Sequence, residues 1–532
     1  MDLLADFREF QALQRHREAL KDFHLRQALG DRDRHRAMTI RIGEALFDFS
    51  KHLATPETLS LLIRLAHARD VAGWRDQMFS GAAINTSENR AVLHTALRAE
   101  PSADIRVGGV NVMPGIADNL RRMATFCDQV RRRKTSGATG RAITDVLNIG
   151  IGGSDLGPRF ISEALRDVHD GPVLHFVSNV DGHAISRALA GLDPETTLVI
   201  VASKTFTTEE TMLNAAVARR WLVAGLGERA DLGLHLVALS SAPDKAAAFG
   251  VKPERIFGFA DWVGGRYSVW SAIGLSVMLA IGPERFASLL AGARDMDHHF
   301  RTQSFEKNIP VMMGLLGVWY RNLWDMPAHV LLPYDDRLAR LAKYVQQMDM
   351  ESNGKAVGRD GRFVGCGTGP VIFGEPGTDS QHSFMQLVHQ GQVIPADFIA
   401  VIAPDHDLAD NHRSLLANCF AQSRALAIGQ TLEEAGGDTG RIFSGNRPST
   451  TILLPQLDPY HLGLLLAAYE HKVFVQGIIW GLNSFDQPGV ELGKKLAKDI
   501  VAGMAQGTVA AQGDCSTAGL IAAALYSDGR EV

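Results

Sequence analysis

Apolar positions follow two periods along this chain, and the alternation between them lays out most of the elements. Val146, Leu147 and Ile149 form a short run of strand type, and Ile161, Leu165 and Val168 follow at helical spacing. Further runs predict strands over 172–177, 198–202 and 234–239, with helices over 184–189 and 215–222 between them. Near residue 285 the pattern turns helical, through 312–324. It then returns to strand-like runs at 329–332, 370–373, 398–403 and 449–454, ahead of a long helix over 459–480. Upstream, Phe7, Phe10, Leu13, Leu20 and Phe23 sit at helical spacing, which predicts a docking helix. A second helical region is expected over 45–68, broken at Thr55-Pro56, and a strongly periodic helix opens at Pro114. Strands alternating with helices in two regions predict an α/β protein with two doubly wound parallel sheets and helical segments at both ends.

Composition narrows the class. Of 532 residues, 46% are apolar and 21% charged, as in a globular chain too long for a single core. The net charge of −5 argues against a dedicated nucleic-acid binder. The basic run Arg131 to Lys134 reads as a solvated helix end, where cations complement the helix dipole. Four scattered cysteines with no C-x-x-C pair fit reduced thiols. The first residues carry acids where a signal peptide would carry bases, and no uninterrupted apolar run approaches the roughly 20 residues needed to span a bilayer. A cytoplasmic protein is the expectation.

Two loops carry candidate chemistry. VLNIGIGGSDLGP (146–158) is a strand, a glycine turn and a helix start, an arrangement that lets backbone N–H groups approach an anion. Ser154 adds a hydroxyl. The turn is neither a dinucleotide fingerprint nor a Walker loop, because Asp155 stands where a third glycine would fall and Pro158-Arg159 replaces Lys-Ser/Thr. SKTFTTEET (203–211) places five hydroxyls and Lys204 between a strand and a helix, with Thr207 and Glu210 spaced as a capping box. Hydroxyls and one ammonium suit a phosphate monoester.

Four further stretches concentrate catalytic residue types. GGRYSVWSAIG (264–274) presents Arg266 after two glycines, and MESNGK (350–355) holds Glu351 at the end of a helical run. GEPGTDSQHSFMQLVHQG (374–391) carries Glu375 and His382 on a Gly-Pro-Gly turn into a helix. NSFDQPGVELGKKLAK (483–498) places Gln487 before a helix and Lys494 inside it. Each taken alone has an ordinary reading: an arginine reaching solvent, a solvated glutamate beside a turn, a histidine in a helix's first turn, lysines on a polar face. His94, between short apolar pieces, reads as structural.

These six motifs in this order resemble the phosphoglucose isomerase family, over about residues 38–516. The resemblance implies two sugar-isomerase (SIS) domains, the smaller over 110–285 and the larger over 46–109 and 286–505, with a helical arm over 1–45 and a C-terminal segment over 506–532. It implies a phosphate site at Gly153, Ser154, Ser203, Lys204, Thr205 and Thr208, lined also by Gln347 and Gln487. Glu351 matches the family's base, Arg266 its active-site arginine, His382 its ring-opening histidine and Lys494 its helical lysine. The implied substrate is a hexose phosphate, the assembly a homodimer with shared sites, and the chemistry free of cofactor and metal. The sequence holds no H-E-x-x-H and no Cys/His ligand spacing, and PDHDLADNH (404–412) reads as a solvated loop.

Asp379-Ser380 stands where the family often has Asn-Gly, and Pro488 where an aromatic is frequent. Neither removes a catalytic group. The competing expectations are a sugar-phosphate-binding regulator without turnover, a glucosamine-phosphate synthase type, which Asp2 at the place of a nucleophilic cysteine disfavours, and a metal-assisted hydride-shift isomerase.

Overall fold

The strand Asp145–Ile149, four of its five residues buried, is the hub of a five-stranded sheet. The order across that sheet is Val173–Val177, Asp145–Ile149, Thr197–Ala202, Leu236–Leu239, Ile256–Phe257, and every pairing is parallel. In chain order this is 2-1-3-4-5, a doubly wound sheet whose connections reverse direction between its first and third strands. Buried aliphatic side chains such as Leu147, Val199, Val201 and Ala238 pack one face against Ile185, Ala215, Ala218 and Leu222 of the covering helices. The computed structural model describes residues 3–506, 508 and 513–527.

A six-stranded sheet repeats the arrangement. Its parallel part runs Ser449–Leu454, Ala396–Val401, Ala328–Tyr334, Val371–Gly374, again 2-1-3-4 in chain order when read from the Val371–Gly374 edge. The other edge is antiparallel. Ala45–Lys51 pairs with Ser449–Leu454 on one side and with Thr39–Ile42 on the other. This corrects the expectation of a helical region from residue 45. The ALFDFSK segment buries Phe47 and Phe49 completely, and aromatic side chains on an extended, paired backbone outweigh a short helical pattern. The helix begins at Pro56, capped by Thr55, whose hydroxyl accepts from the Thr58 N–H. The Thr39–Ile42 strand likewise interrupts the helical arm, which consists of Arg8–Ala19, Leu25–Ala28 and Arg32–Ala37.

The Pro459–Trp480 helix is apolar enough in length to cross a membrane, but it is a core helix, buried along its whole apolar window. It crosses Pro283–Thr302 at glycines. A Cβ on Gly463 would lie 2.0 Å from the Leu289 carbonyl oxygen, and one on Gly292 1.8 Å from that of Tyr460. Its buried charges are partnered. Glu470 meets Arg98 at 2.6 Å, His471 meets Asp297 at 2.6 Å, and Lys472 faces Asp349 at 3.6 Å.

The chain falls into two compact units, Met1–Ser484 and Phe485–Val532. The first holds both sheets. The second holds the helices Glu491–Ala505 and Cys515–Ser527.

Candidate functional site

In an open α/β sheet, ligands bind beyond the carboxyl ends of the strands where the connections reverse. The two anion loops read from sequence leave the two strands that flank that reversal. Gly150–Ser154 follows Asp145–Ile149, and Ser203–Thr208 follows Thr197–Ala202.

The first loop closes through a 3-10 turn at Gly152–Ser154 into the helix Leu156–Ala164. Gly152 has φ +60°, a left-handed conformation open to glycine, and a Cβ there would come 3.0 Å from Gln347 Nε2. Gln347 therefore stands at this loop. A Cβ on Gly153 would lie 1.9 Å from the Gly265 carbonyl oxygen. Only a glycine lets the anion loop rest on the turn that carries Arg266.

In the second loop the Ser203 hydroxyl donates to Thr208 Oγ1 at 3.2 Å, and the Thr205 and Thr207 hydroxyls share a 2.7 Å hydrogen bond. Thr208, not Thr207, is the N-cap of Glu209–Leu226, and it makes no side-chain capping bond. The expected capping box is thus absent; the hydroxyls bond to one another across the loop instead. Phe206 is anchored in the core at 4% exposure with φ +53°, costly for a bulky residue and found where surrounding structure dictates the backbone. Lys204 Nζ donates to the Asp261 and Val263 carbonyls at 2.7 and 3.1 Å, and burial lowers its pKa from the usual lysine value. It bridges this loop to the segment leading into Gly264.

Arg266 is 4% exposed, contrary to the solvent-facing arginine of the ordinary reading. Its fork is occupied on every side. Nη1 lies 3.2 Å from Glu351 Oε2, Nε donates to Ser352 Oγ at 2.7 Å, and Nη2 donates to the Ser484 carbonyl at 2.7 Å. Glu351 belongs to the last turn of Leu341–Asn353 and keeps 24% of its side chain exposed. A fixed cation thus flanks a carboxylate that stays reachable. Beneath them Tyr267 Oη lies 2.9 Å from Ser352 Oγ, and the buried His94 ring stacks on Tyr267 at 4.7 Å. Burial, with the nearby Arg98 cation, holds the His94 pKa well below the ordinary value.

His382 is exposed and closes the short helix Gly377–Gln381 as its C-cap, so it ends a helix rather than opening one. Its backbone N–H donates to the Asp379 carbonyl at 2.9 Å. Among the described residues its ring makes no hydrogen bond, ion pair or ring contact, with Glu351 and Arg266 or with any other residue. In the second unit, Gln487 caps the turn Pro488–Val490. Lys494 is exposed on Glu491–Ala505, where it pairs with Glu491 at 3.2 Å. Among the described residues no three His, Cys, Asp or Glu side chains form a metal-binding group. Ser352, Ser484 and Tyr267 had no role assigned from sequence. Ser352 meets Arg266 across 86 positions, and the one local sign is that Ser352 and Tyr267 each carry a hydroxyl directly after a candidate residue.

Comparison with known proteins shows which chains this one is similar to. The family model described as phosphoglucose isomerase matches residues 48–521. The chain is 52% identical over 508 residues to a glucose-6-phosphate isomerase from Xanthobacter autotrophicus, with 92% of each chain covered. It is 50% identical over 534 residues to one from a Chelativorans species, covering 97% of this chain and 98% of the relative. A crystal structure of a glucose-6-phosphate isomerase from Chlamydia trachomatis superimposes with TM-score 0.87 at 31% identity, over 99% of this chain and 100% of that one.

Proposed function

The chain belongs to the phosphoglucose isomerase family and is a glucose-6-phosphate isomerase, and we propose that it works by proton transfer through an enediol, without a metal ion. The observation that carries this reading is the Arg266–Glu351 pair, a buried, fully held cation 3.2 Å from a partly exposed carboxylate, beside two anion loops.

The phosphate of the sugar would sit on the Gly152–Ser154 backbone and the hydroxyls of Ser154, Ser203, Thr205 and Thr208, with Lys204 supplying positive charge. Its anchorage leaves the sugar chain to reach Glu351. Ring opening moves one proton to the ring oxygen and one from the anomeric hydroxyl; His382 and Lys494 are the proposed carriers. In the open aldose, Glu351 takes the C2 proton. The C2–H electron pair becomes the C1=C2 double bond, and the C1 carbonyl oxygen becomes an enediol oxygen. Glu351 then returns the proton to C1 while the C2 hydroxyl passes its own proton to the C1 oxygen, so that C2 becomes the ketone and C1 carries the hydroxyl. No external oxidant or reductant enters. Arg266, with its guanidinium held in place, stabilises the negative charge that develops on the enediol oxygens. Gln347 and Gln487 complete the lining.

We further infer a homodimer in which His382 serves the site of the neighbouring subunit. Support comes from its exposed ring and from an apolar row on Glu491–Ala505, where Leu492 and Leu496, one turn apart, are 68% and 54% exposed. A single soluble chain has little reason to leave such a row open. The four free cysteines suit a reducing cytoplasm, where we place the enzyme in glycolysis and gluconeogenesis.

The deciding experiment is fructose 6-phosphate turnover in the presence of a chelator, for the native protein and for Glu351→Gln. Robust native turnover that vanishes in the variant, with substrate still bound, is the expected result. Binding without native turnover would favour the non-catalytic regulator, and activity lost to chelator and restored by a divalent ion would favour a hydride shift. Mixing Glu351→Gln with His382→Ala tests the shared site. If His382 acts on the partner's substrate, a mixed dimer holds one intact site and activity reappears.

A further inference from the structure

The residue that follows Glu351 holds Arg266, and the residue that follows Arg266 meets that holder. Ser352 follows Glu351, is completely buried, and accepts the Arg266 Nε–H at 2.7 Å. Tyr267 follows Arg266, is 2% exposed, and places its hydroxyl 2.9 Å from Ser352 Oγ. A guanidinium only donates, so the Ser352 oxygen is the acceptor of that bond. The fork is planar and rigid, so holding Nε and Nη2 fixes the plane and with it the direction of Nη1. Among these holds, the Ser484 backbone carbonyl is one that no side-chain substitution removes. The Ser352 hydroxyl is a part of the clamp that a side chain encodes, and the Tyr267 hydroxyl also bonds the Arg266 side chain. Burial raises the Tyr267 pKa above the usual phenol value, so at neutral pH its hydroxyl keeps its proton and remains a partner for Ser352.

We propose that Ser352, supported by Tyr267, is a positioning residue that aims Arg266 at the oxygens of the enediol, and that it contributes to turnover rather than to substrate binding. The proposal rests on the proton-transfer reading above. Ser352 touches the arginine, not the phosphate loops, so its loss should leave KM in place. Without the hydroxyl, the Nε–H loses its 2.7 Å acceptor and the fork is held less firmly toward Glu351.

The test is a double-mutant cycle on the full chain, with kcat and KM for fructose 6-phosphate measured beside thermal melting. Lysine has no Nε–H to give to Ser352, so Arg266→Lys removes the contact from the other side. We expect Ser352→Ala to lower kcat about 10–30-fold with KM within about twofold, because an interaction used in the transition state is lost. In the Arg266→Lys background the same change should cost less than about twofold, since the interaction it removes is already gone. Tyr267→Phe, which deletes one buried oxygen and keeps the ring, should lower kcat by about two- to fivefold with the same constancy of KM. If Ser352→Ala fails to fold, the Tyr267→Phe result decides the proposal by the same split of kcat from KM. An undiminished Ser352→Ala effect in the Arg266→Lys background would overturn it, as would a folded Ser352→Ala protein with native kcat. Arg266→Lys at the native rate would instead overturn the role given to Arg266 in the reaction itself.

Discussion

A methyl group at position 153 has no room, because the Gly265 carbonyl oxygen lies 1.9 Å from where its carbon would be. Both atoms there belong to backbone, so the loop or the turn must move. The moving parts are the anion loop and the segment that carries Arg266, and a misplacement of about 1 Å at an active site can cost about 100-fold in rate. Gly153→Ala should therefore lose about 100-fold in kcat/KM while its melting temperature changes little. Steady-state kinetics beside a melting curve checks this, and a near-native rate would mean that the two segments do not need to touch. This glycine also marks what is legible in a sequence. Gly150, Gly152, Gly153 and Ser154 announce a tight turn between a strand and a helix, the candidate anion loop, because the backbone requirement is local. The fate of Arg266 is not local. Its side chain turns inward because Glu351, Ser352 and Ser484, all distant in sequence, supply acceptors for its three edges. Nothing in the spacing of GGRYSVWSAIG distinguishes that outcome from an arginine in water.

At the scale of elements, the parallel strands are legible from apolar runs bounded by turns, and the predicted run 449–454 coincides with the strand Ser449–Leu454. The Ala45–Lys51 strand is not legible in this way. Its burial does not alternate, since both faces are covered, and one of its two pairing partners, Ser449–Leu454, lies some four hundred positions away. The crossing of Pro459–Trp480 over Pro283–Thr302 is equally hidden, because a glycine within a helical pattern reads as a weakness. In an exposed helix Gly→Ala is worth up to about 1 kcal/mol of stability. Here the sign should reverse. A Cβ on Gly463 meets backbone at 2.0 Å, so the two helices must separate and loosen the packing around the buried Arg98–Glu470 pair. We expect Gly463→Ala to destabilise the protein by about 3 kcal/mol, the upper range for overpacking a well-filled core. Urea unfolding measures it, and an unchanged or raised midpoint would show that the helices can part at little cost.

For the whole molecule, the two sheets share the order 2-1-3-4 in their first four parallel strands, and one end of the smaller sheet carries the anion loops. Such a core buries titratable groups that the proposed reaction does not use, and these set how the protein responds to acid. His52 is enclosed within 2.9 Å of both the Tyr320 and Thr450 hydroxyls, and burial pushes its pKa down to about 3. His299, which accepts the Ile309 N–H at 3.0 Å, is pushed down to about 4, again chiefly by burial. In the unfolded chain both titrate near the ordinary histidine value of about 6.5. Between that value and the folded one, the unfolded state binds the extra protons, so stability rises with pH and is lost as pH falls. The contribution is complete above about pH 6.5 and drains at about 1.4 kcal/mol per pH unit for each histidine below it. Asp397 acts in the same direction at lower pH. Burial alone would raise its pKa, but His329 at 2.9 Å and the Tyr469 hydroxyl hold it below the usual carboxylate range. Unfolding free energies should therefore be flat from about pH 8 to 7 and fall steadily from about pH 6 to 4.5, steepening where carboxylates begin to protonate. His299→Gln removes one of the two histidines, and its slope between about pH 6 and 4.5 should be shallower by about 1.4 kcal/mol per unit. Denaturant titrations of both proteins at fixed concentration across that window decide the matter. Parallel slopes would mean that His299 takes up its proton without the fold having to open.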